Sequence, residues 1–204
     1  MTMKRIILFG GGGHGVSVLD ILMSCTEYMV EAIADMKSST PIYDIPVISD
    51  LEADAFEIKK AIVAIGDNQL RQKIAKDLYR RGYGLVNAIS PLAYVSPRAK
   101  LGKGVVVMPY AVVNAGATIG DGTIINTKAS VDHDTTVGEF CHIAPGSTLC
   151  GFVKVGDTSF VCAGATIIDR VSIGVNATIA AGAVVIRDVL SGDTVMGIPA
   201  KSKK

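Results

Sequence analysis

Asp132-His133-Asp134 has the residue types that general-base chemistry needs. A carboxylate beside an imidazole raises its basicity and fixes its orientation, which suits proton transfer near neutral pH. A second histidine, His142, follows nine residues later. Gly151 lies eighteen residues after His133, and its backbone N–H is a candidate donor to a developing oxyanion. A separate group sits near the N-terminus. Gly10-Gly11-Gly12-Gly13-His14-Gly15 contains G-x-G-x-x-G at 10, 12 and 15, and Asp35 comes twenty residues after Gly15. Glycines let the backbone approach a phosphate, a helix N-terminus adds oriented N–H groups, and the acid accepts hydrogen bonds from ribose or base.

These groups need elements to hold them. Lys4–Gly10 reads as an apolar strand running into the glycine loop, and His14–Cys25 as a helix with Val18, Leu19 and Leu22 on one face. Glu31–Met36 and Lys59–Gly66 read as further strands. Asp67–Arg81 reads as a helix with Leu70, Ile74 and Leu78 apolar, and Gly84–Ile89 as a last short strand. Strand–helix alternation predicts a parallel sheet flanked by helices. At about 90 residues this unit is half a usual dinucleotide domain, so a mononucleotide or sugar nucleotide fits it better than NAD.

Beyond residue 90 the period changes to six. From Val95 to Val185, sixteen consecutive positions at that spacing are all Val, Ile or Leu. Four residues after most of them comes a small side chain, such as Ala111, Ala117 or Ala129. Such a period fits neither a helix nor a simple strand. It fits two-residue strands joined by turns, with one large and one small side chain inward per hexad and three hexads per coil. Coils stacked at roughly 4.8 Å make a prism about 25 Å long. The expected fold is therefore an α/β, Rossmann-like nucleotide-binding domain over residues 1–90 and a left-handed parallel β-helix of hexapeptide repeats over 91–204. On such a prism His133 and His142 are half a coil apart, so one site using both must lie between two subunits. Val106, Val112 and Ile124, next to the inward series, are expected to be exposed and to pack between three prisms.

The glycine loop with His14, the strand end at Asp35, the segments AIGDNQLRQKI (64–74) and NTKASVDHDTTVGEFCHIAPGSTLCG (126–151), and GIPAK (197–201) together resemble a known family. It is that of the bacterial sugar O-/N-acetyltransferases of the sialic-acid O-acetyltransferase group, and within it the enzymes acting on nucleotide-linked 4-amino-4,6-dideoxy sugars. The resemblance implies an acetyl-CoA-dependent N-acetyltransferase that works as a homotrimer. It implies His133 as general base and Asp134 as its support; the Gly151 N–H, placed by the spacing of eighteen, remains the candidate oxyanion donor. It assigns the nucleotide-linked sugar to Gly12, Gly13, His14, Asp35, Gly66 and Asn126, and acetyl-CoA to His142, Ala163 and Ala181, with no metal. Many N-acetyltransferases of the family have Glu where this chain has Asp134, one methylene shorter. Asp132 is thus an alternative support, and sugar O-acetylation is the second reading. A nucleotide-sensing scaffold is the third.

Composition narrows the classes. Lys+Arg 20 against Asp+Glu 19 leaves +1, which argues against nucleic acid or an anionic membrane as partner. The mean hydropathy of +0.41 is high. Even so, no run approaches the ~18 apolar residues of a membrane span, and Ile6–Phe9 is too short for a secretory signal. The four cysteines have no metal-ligand spacing and read as buried reduced thiols of a cytoplasmic protein.

Overall fold

The computed structural model describes residues 3–35 and 40–203. Met36, placed by the sequence at the end of the second strand, lies outside them. The N-terminal unit is a five-stranded parallel sheet built from β1 (Lys4–Phe9), β2 (Tyr28–Ala34), β3 (Val47–Ile48), β4 (Lys60–Val63) and β5 (Gly84–Leu85). Their order is β3-β2-β1-β4-β5. Helices α1 (Gly13–Ser24) and α2 (Asn68–Arg80) cover it. Alternate residues of β1 serve opposite layers. Ile6 and Leu8 pack with Val18, Leu19 and Leu22 of α1, whereas Ile7 and Phe9 pack with Ala75 and Leu78 of α2. All four are buried, as in a central parallel strand covered on both sides.

The strand order reverses at β1. The chain leaves β1 for β2 on one side and returns to β4 on the other. In open α/β sheets the crevice beyond the strand ends at this point takes ligands. Here it is framed by Gly10–Gly13 after β1 and Ala64–Asp67 after β4. A side chain at Gly15 would collide with the Gly10 carbonyl, so this glycine lets α1 pack close against the loop.

From Ala88 onward the chain winds as a triangular parallel β-helix of the hexapeptide type. Two-residue strands pair with strands eighteen residues on, for example Ile124↔His142 and Val113↔Val131. The inward pair per hexad is the aliphatic residue and the one four positions later. Polar residues at the second position are buried too, and they bond neighbouring carbonyls. Thr123 Oγ1 donates to Gly138 O (2.7 Å) and Ser159 Oγ to Gly174 O (2.7 Å), which meets the demand that buried polar groups be paired. The last coil is two residues shorter (Thr178↔Thr194), and an antiparallel strand at Lys201–Ser202 covers its edge.

Several expectations change. The stretch 84–89 is two strands. β5 closes the α/β sheet, and Ala88–Ile89 opens the prism by pairing with Val106–Val107. Leu70 is exposed, and the buried face of α2 is Arg71, Ala75 and Leu78. Val106 and Ile124 are fully buried, because the chain's own α/β unit lies on them: they share a core with Leu8, Leu19 and Leu22. They are not free faces for another subunit. Of the cysteines, all free, only Cys141 is buried, and the other three are half-buried.

Candidate functional site

The structure gathers the sequence-predicted residues into two groups. The first lies where the α/β crevice meets the prism. His142, on the strand His142–Ile143, donates from Nδ1 to the Gly66 carbonyl (3.3 Å) and accepts at Nε2 from the Asn126 amide (3.0 Å). This fixes one neutral tautomer. Asn126 Oδ1 in turn accepts from the Thr127 N–H (2.7 Å). His14, in the first turn of α1, sits 6.3 Å from His142 between ring centroids, and Phe160 backs His142 at 5.0 Å. Burial, then the nearby Arg71 cation, lowers both histidines to about 4, so both are neutral at pH 7. His142, which the resemblance gives to acetyl-CoA, thus stands among the residues given to the sugar nucleotide, with both ring nitrogens engaged.

The crevice itself is open. A side chain added at Gly12, Gly13 or Gly66 would meet nothing within 4 Å. Asp35 reaches into the loop, where its Oδ2 accepts from the Gly11 N–H at 2.6 Å. It therefore shapes the glycine turn directly.

The second group is on the edge of the prism. His133 follows the strand Ser130–Val131, and its side chain is 52% exposed, which leaves the ring reachable from solvent. Its Nδ1 lies 3.0 Å from Asp134 Oδ2. That bond places the proton on Nδ1 and leaves Nε2 as the base. Asp134 has φ +56°, a left-handed turn that swings its carboxylate back to the ring. The missing methylene therefore costs no reach. Asp132 does a different job, with its Oδ1 accepting from the His133 N–H (2.7 Å) and from Asn114 (3.0 Å). Gly151, one coil on, is the seat of the imidazole, since a Cβ there would stand 2.8 Å from Nε2. Phe152 meets the ring edge-on at 5.2 Å. Ala163 and Ala181 are exposed at turns on another edge, where their neighbours Gly164 and Gly182 have positive φ.

His133 stands on the turn after a strand of one sheet of the prism, and His142 is in a strand of another. No described contact joins the two groups within the chain.

Known proteins share this fold. Residues 5–78 match the PglD N-terminal domain, and residues 98–133 and 116–151 match the bacterial transferase hexapeptide (six repeats). A mutant of perosamine N-acetyltransferase from Caulobacter crescentus, solved with CoA and GDP-perosamine, is 41% identical with a TM-score of 0.95. The match covers 100% of this chain and 98% of that one. The chain belongs to the nucleotide-linked amino-sugar N-acetyltransferases. The acetyltransferase domain of PglB from Neisseria gonorrhoeae, solved with acetyl coenzyme A, is 35% identical with a TM-score of 0.94, over 99% of this chain and 100% of that one. UDP-N-acetylbacillosamine N-acetyltransferase of Bacillus subtilis is 31% identical over 112 residues, about half of each chain (52% and 52%). An uncharacterized mimivirus protein is 32% identical over 103 residues, 20% of its own length.

One residue that ties the crevice to the prism is missing from the sequence-based set. Arg71, on α2, is 1% exposed and donates six hydrogen bonds, three within its own unit and three to prism carbonyls, so it joins the two units. Its signal was the helical spacing 71, 75, 78, which puts an arginine in phase with Ala75 and Leu78. Asn68 adds two bonds from its amide to Thr158 O and Ser159 O, 3.1 Å each. Among the described residues no cluster of His, Cys, Asp or Glu could hold a metal ion, and no helix is long and apolar enough to cross a membrane.

Proposed function

We propose that this acetyltransferase moves acetyl from acetyl-CoA to the 4-amino group of a nucleotide-linked 4-amino-4,6-dideoxy sugar. The observation that carries the chemistry is the His133–Asp134 hydrogen bond over Gly151. The neutral amine attacks the thioester carbonyl. His133 Nε2 takes the amine proton as the N–C bond forms, and Asp134 stabilises the imidazolium. The Gly151 N–H faces the tetrahedral oxyanion. The C–S bond then breaks, and the imidazolium returns its proton to the CoA sulfur. Proton and electron pair balance, with no enzyme-bound acyl group.

The nucleotide lies in the crevice between the glycine loop and Gly66, with the sugar directed to His14, Asn126 and His142. His133 comes from the next subunit of a homotrimer. The three faces of the prism support this assembly. One face is covered at its start by the α/β unit, at Ala88, Val106 and Ile124. A second carries Lys100, Thr118, Thr136, Lys154 and Ser172 outward and suits water. The third, with Tyr94, Val112, Ser130, Thr148, Thr166 and Val184, carries no charge and suits a subunit contact. Acetyl-CoA then lies in the cleft between prisms, along the edge of Ala163 and Ala181.

The test is thiol release from acetyl-CoA with GDP-, UDP- and dTDP-linked 4-amino-4,6-dideoxy sugars. Turnover with at least one, and an acid-stable amide product, is expected. Turnover only with hydroxyl acceptors would overturn the reading in favour of O-acetylation.

A further inference from the structure

Arg71 is an expensive residue to bury. No carboxylate lies within ion-pair distance of it among the described residues. An apolar side chain would fill the same space without the desolvation cost of an unpaired cation. All its partners are neutral oxygens, and they come from three places. Nη1 donates to the carbonyls of Ile65 (2.8 Å) and Gly66 (3.1 Å), in the loop after β4. Nε donates to Gly122 O (2.7 Å), and Nη2 to Phe140 O and Cys141 O (3.0 Å each), on successive coils of the prism. Nη2 also holds Asn68 Oδ1 (2.7 Å) on its own helix.

The grip on Ile65 and Gly66 has a direction. In a trans peptide the C=O and the N–H point opposite ways. Holding these two carbonyls therefore turns the N–H groups of Gly66 and Asp67 away from Arg71. Neither N–H meets an acceptor among the described residues. The space at Gly66 is open, and the loop faces the glycine turn across the crevice. Two free amides beside the open start of α1 suit the most charged part of a sugar nucleotide. The same guanidinium grips the carbonyl of Cys141, immediately before His142, which itself bonds Gly66 O.

We propose that Arg71 is a positioning residue for the diphosphate of the sugar nucleotide. From behind the loop it aims the Gly66 and Asp67 amides at the diphosphate and fixes their spacing to the prism. The inference rests on the nucleotide site proposed above. The test compares wild type, Arg71→Lys and Arg71→Gln by calorimetry with GDP, UDP, dTDP and the matching nucleosides. For the diphosphate that wild type binds best, Arg71→Gln should lose about ten- to a hundredfold in affinity, the scale of hydrogen bonds to a charged group. Its nucleoside affinity and its KM for acetyl-CoA should change less than about threefold, and Arg71→Lys should recover part of the loss. Equal losses for nucleoside and diphosphate, a matching loss for acetyl-CoA, or no loss at all would overturn the proposal. Should both variants fail to fold, backbone-amide NMR of wild type decides. The Gly66 and Asp67 signals should move with the diphosphate and stay with the nucleoside, and unmoved signals overturn it. Wild type that binds none of the three diphosphates would instead remove the nucleotide site itself, and this inference with it.

Discussion

The two groups of functional residues are held in opposite ways. His14, Gly66, Asn126 and His142 lie at a seam between two units, part-buried; His142 is hydrogen-bonded to Gly66 on one side and Asn126 on the other, and the His14 ring stands beside it. His133 and Asp134 lie on one turn of a solenoid, exposed, and their side chains are held by one mutual hydrogen bond, the Gly151 seat and the edge-on Phe152 ring. The contrast fits the tasks proposed for them. A binding surface gains from rigidity, because fixed dipoles need no reordering when the ligand arrives. A base must shed and regain a proton every cycle, so it needs access. The solenoid supplies precision without burial, because each coil is locked to the next by parallel pairs on three sides.

The largest test of the contrast is His133→Ala, which should lower kcat by ~10²–10⁴, the usual worth of a general base, with little change in the KM for acetyl-CoA. Mixing inactive His133→Ala subunits with inactive His142→Ala subunits should then restore activity, because some mixed clefts hold both histidines. Activity that stays at the parental level after proven exchange would put both groups in one chain's site. Next comes Gly151→Ala. Its Cβ would displace the imidazole while the fold is kept, so kcat should fall roughly 10- to 100-fold. The thermal midpoint should move by only a few degrees. A large drop in stability with normal turnover of the folded fraction would show that Gly151 serves the coil and not the base.

The split between what could and could not be read from the sequence follows the same line. The solenoid was legible because its period is strict. One hexad specifies the next, and the His133–Gly151 stacking follows from a spacing of eighteen. The glycine loop was legible because backbone close approach leaves few residue choices. The seam was not. Val106 and Ile124 occupy the same outward phase as Thr118 and Thr136, and no period says which face the α/β unit will cover. Arg71 reads as an ordinary charged helix residue until the prism carbonyls stand against it. Asp132 and Asp134 flank His133 symmetrically in sequence, and only the positive φ at Asp134 decides which one reaches the ring.

Asp35 tests the seam side at moderate strength. Its carboxylate holds the Gly11 N–H, so Asp35→Ala should loosen the glycine turn and raise the KM for the sugar nucleotide about tenfold. The KM for acetyl-CoA should stay within about twofold. Equal weakening of both substrates would mean that the two groups do not divide the ligands as proposed.

The smallest effect probes the buried seam by pH. His14 and His142 are held at about 4 in the folded chain, by burial first and by the Arg71 cation second, against an unfolded value near 6.5. Between these values the unfolded chain binds more protons than the folded one. Stability therefore falls as pH drops from about 6.5 to 4 and is flat with respect to these two groups above that window. The thermal midpoint should decline over this range by several degrees more than in a His142→Asn variant, which keeps a polar side chain at the seam and removes one titrating group. The loss should be less than twice that of a single histidine, because protonating one ring, 6.3 Å from the other, already opens the seam. If His142→Asn keeps the full wild-type slope, the acid sensitivity does not belong to the buried seam, and the division between a buried binding seam and an exposed prism edge is wrong.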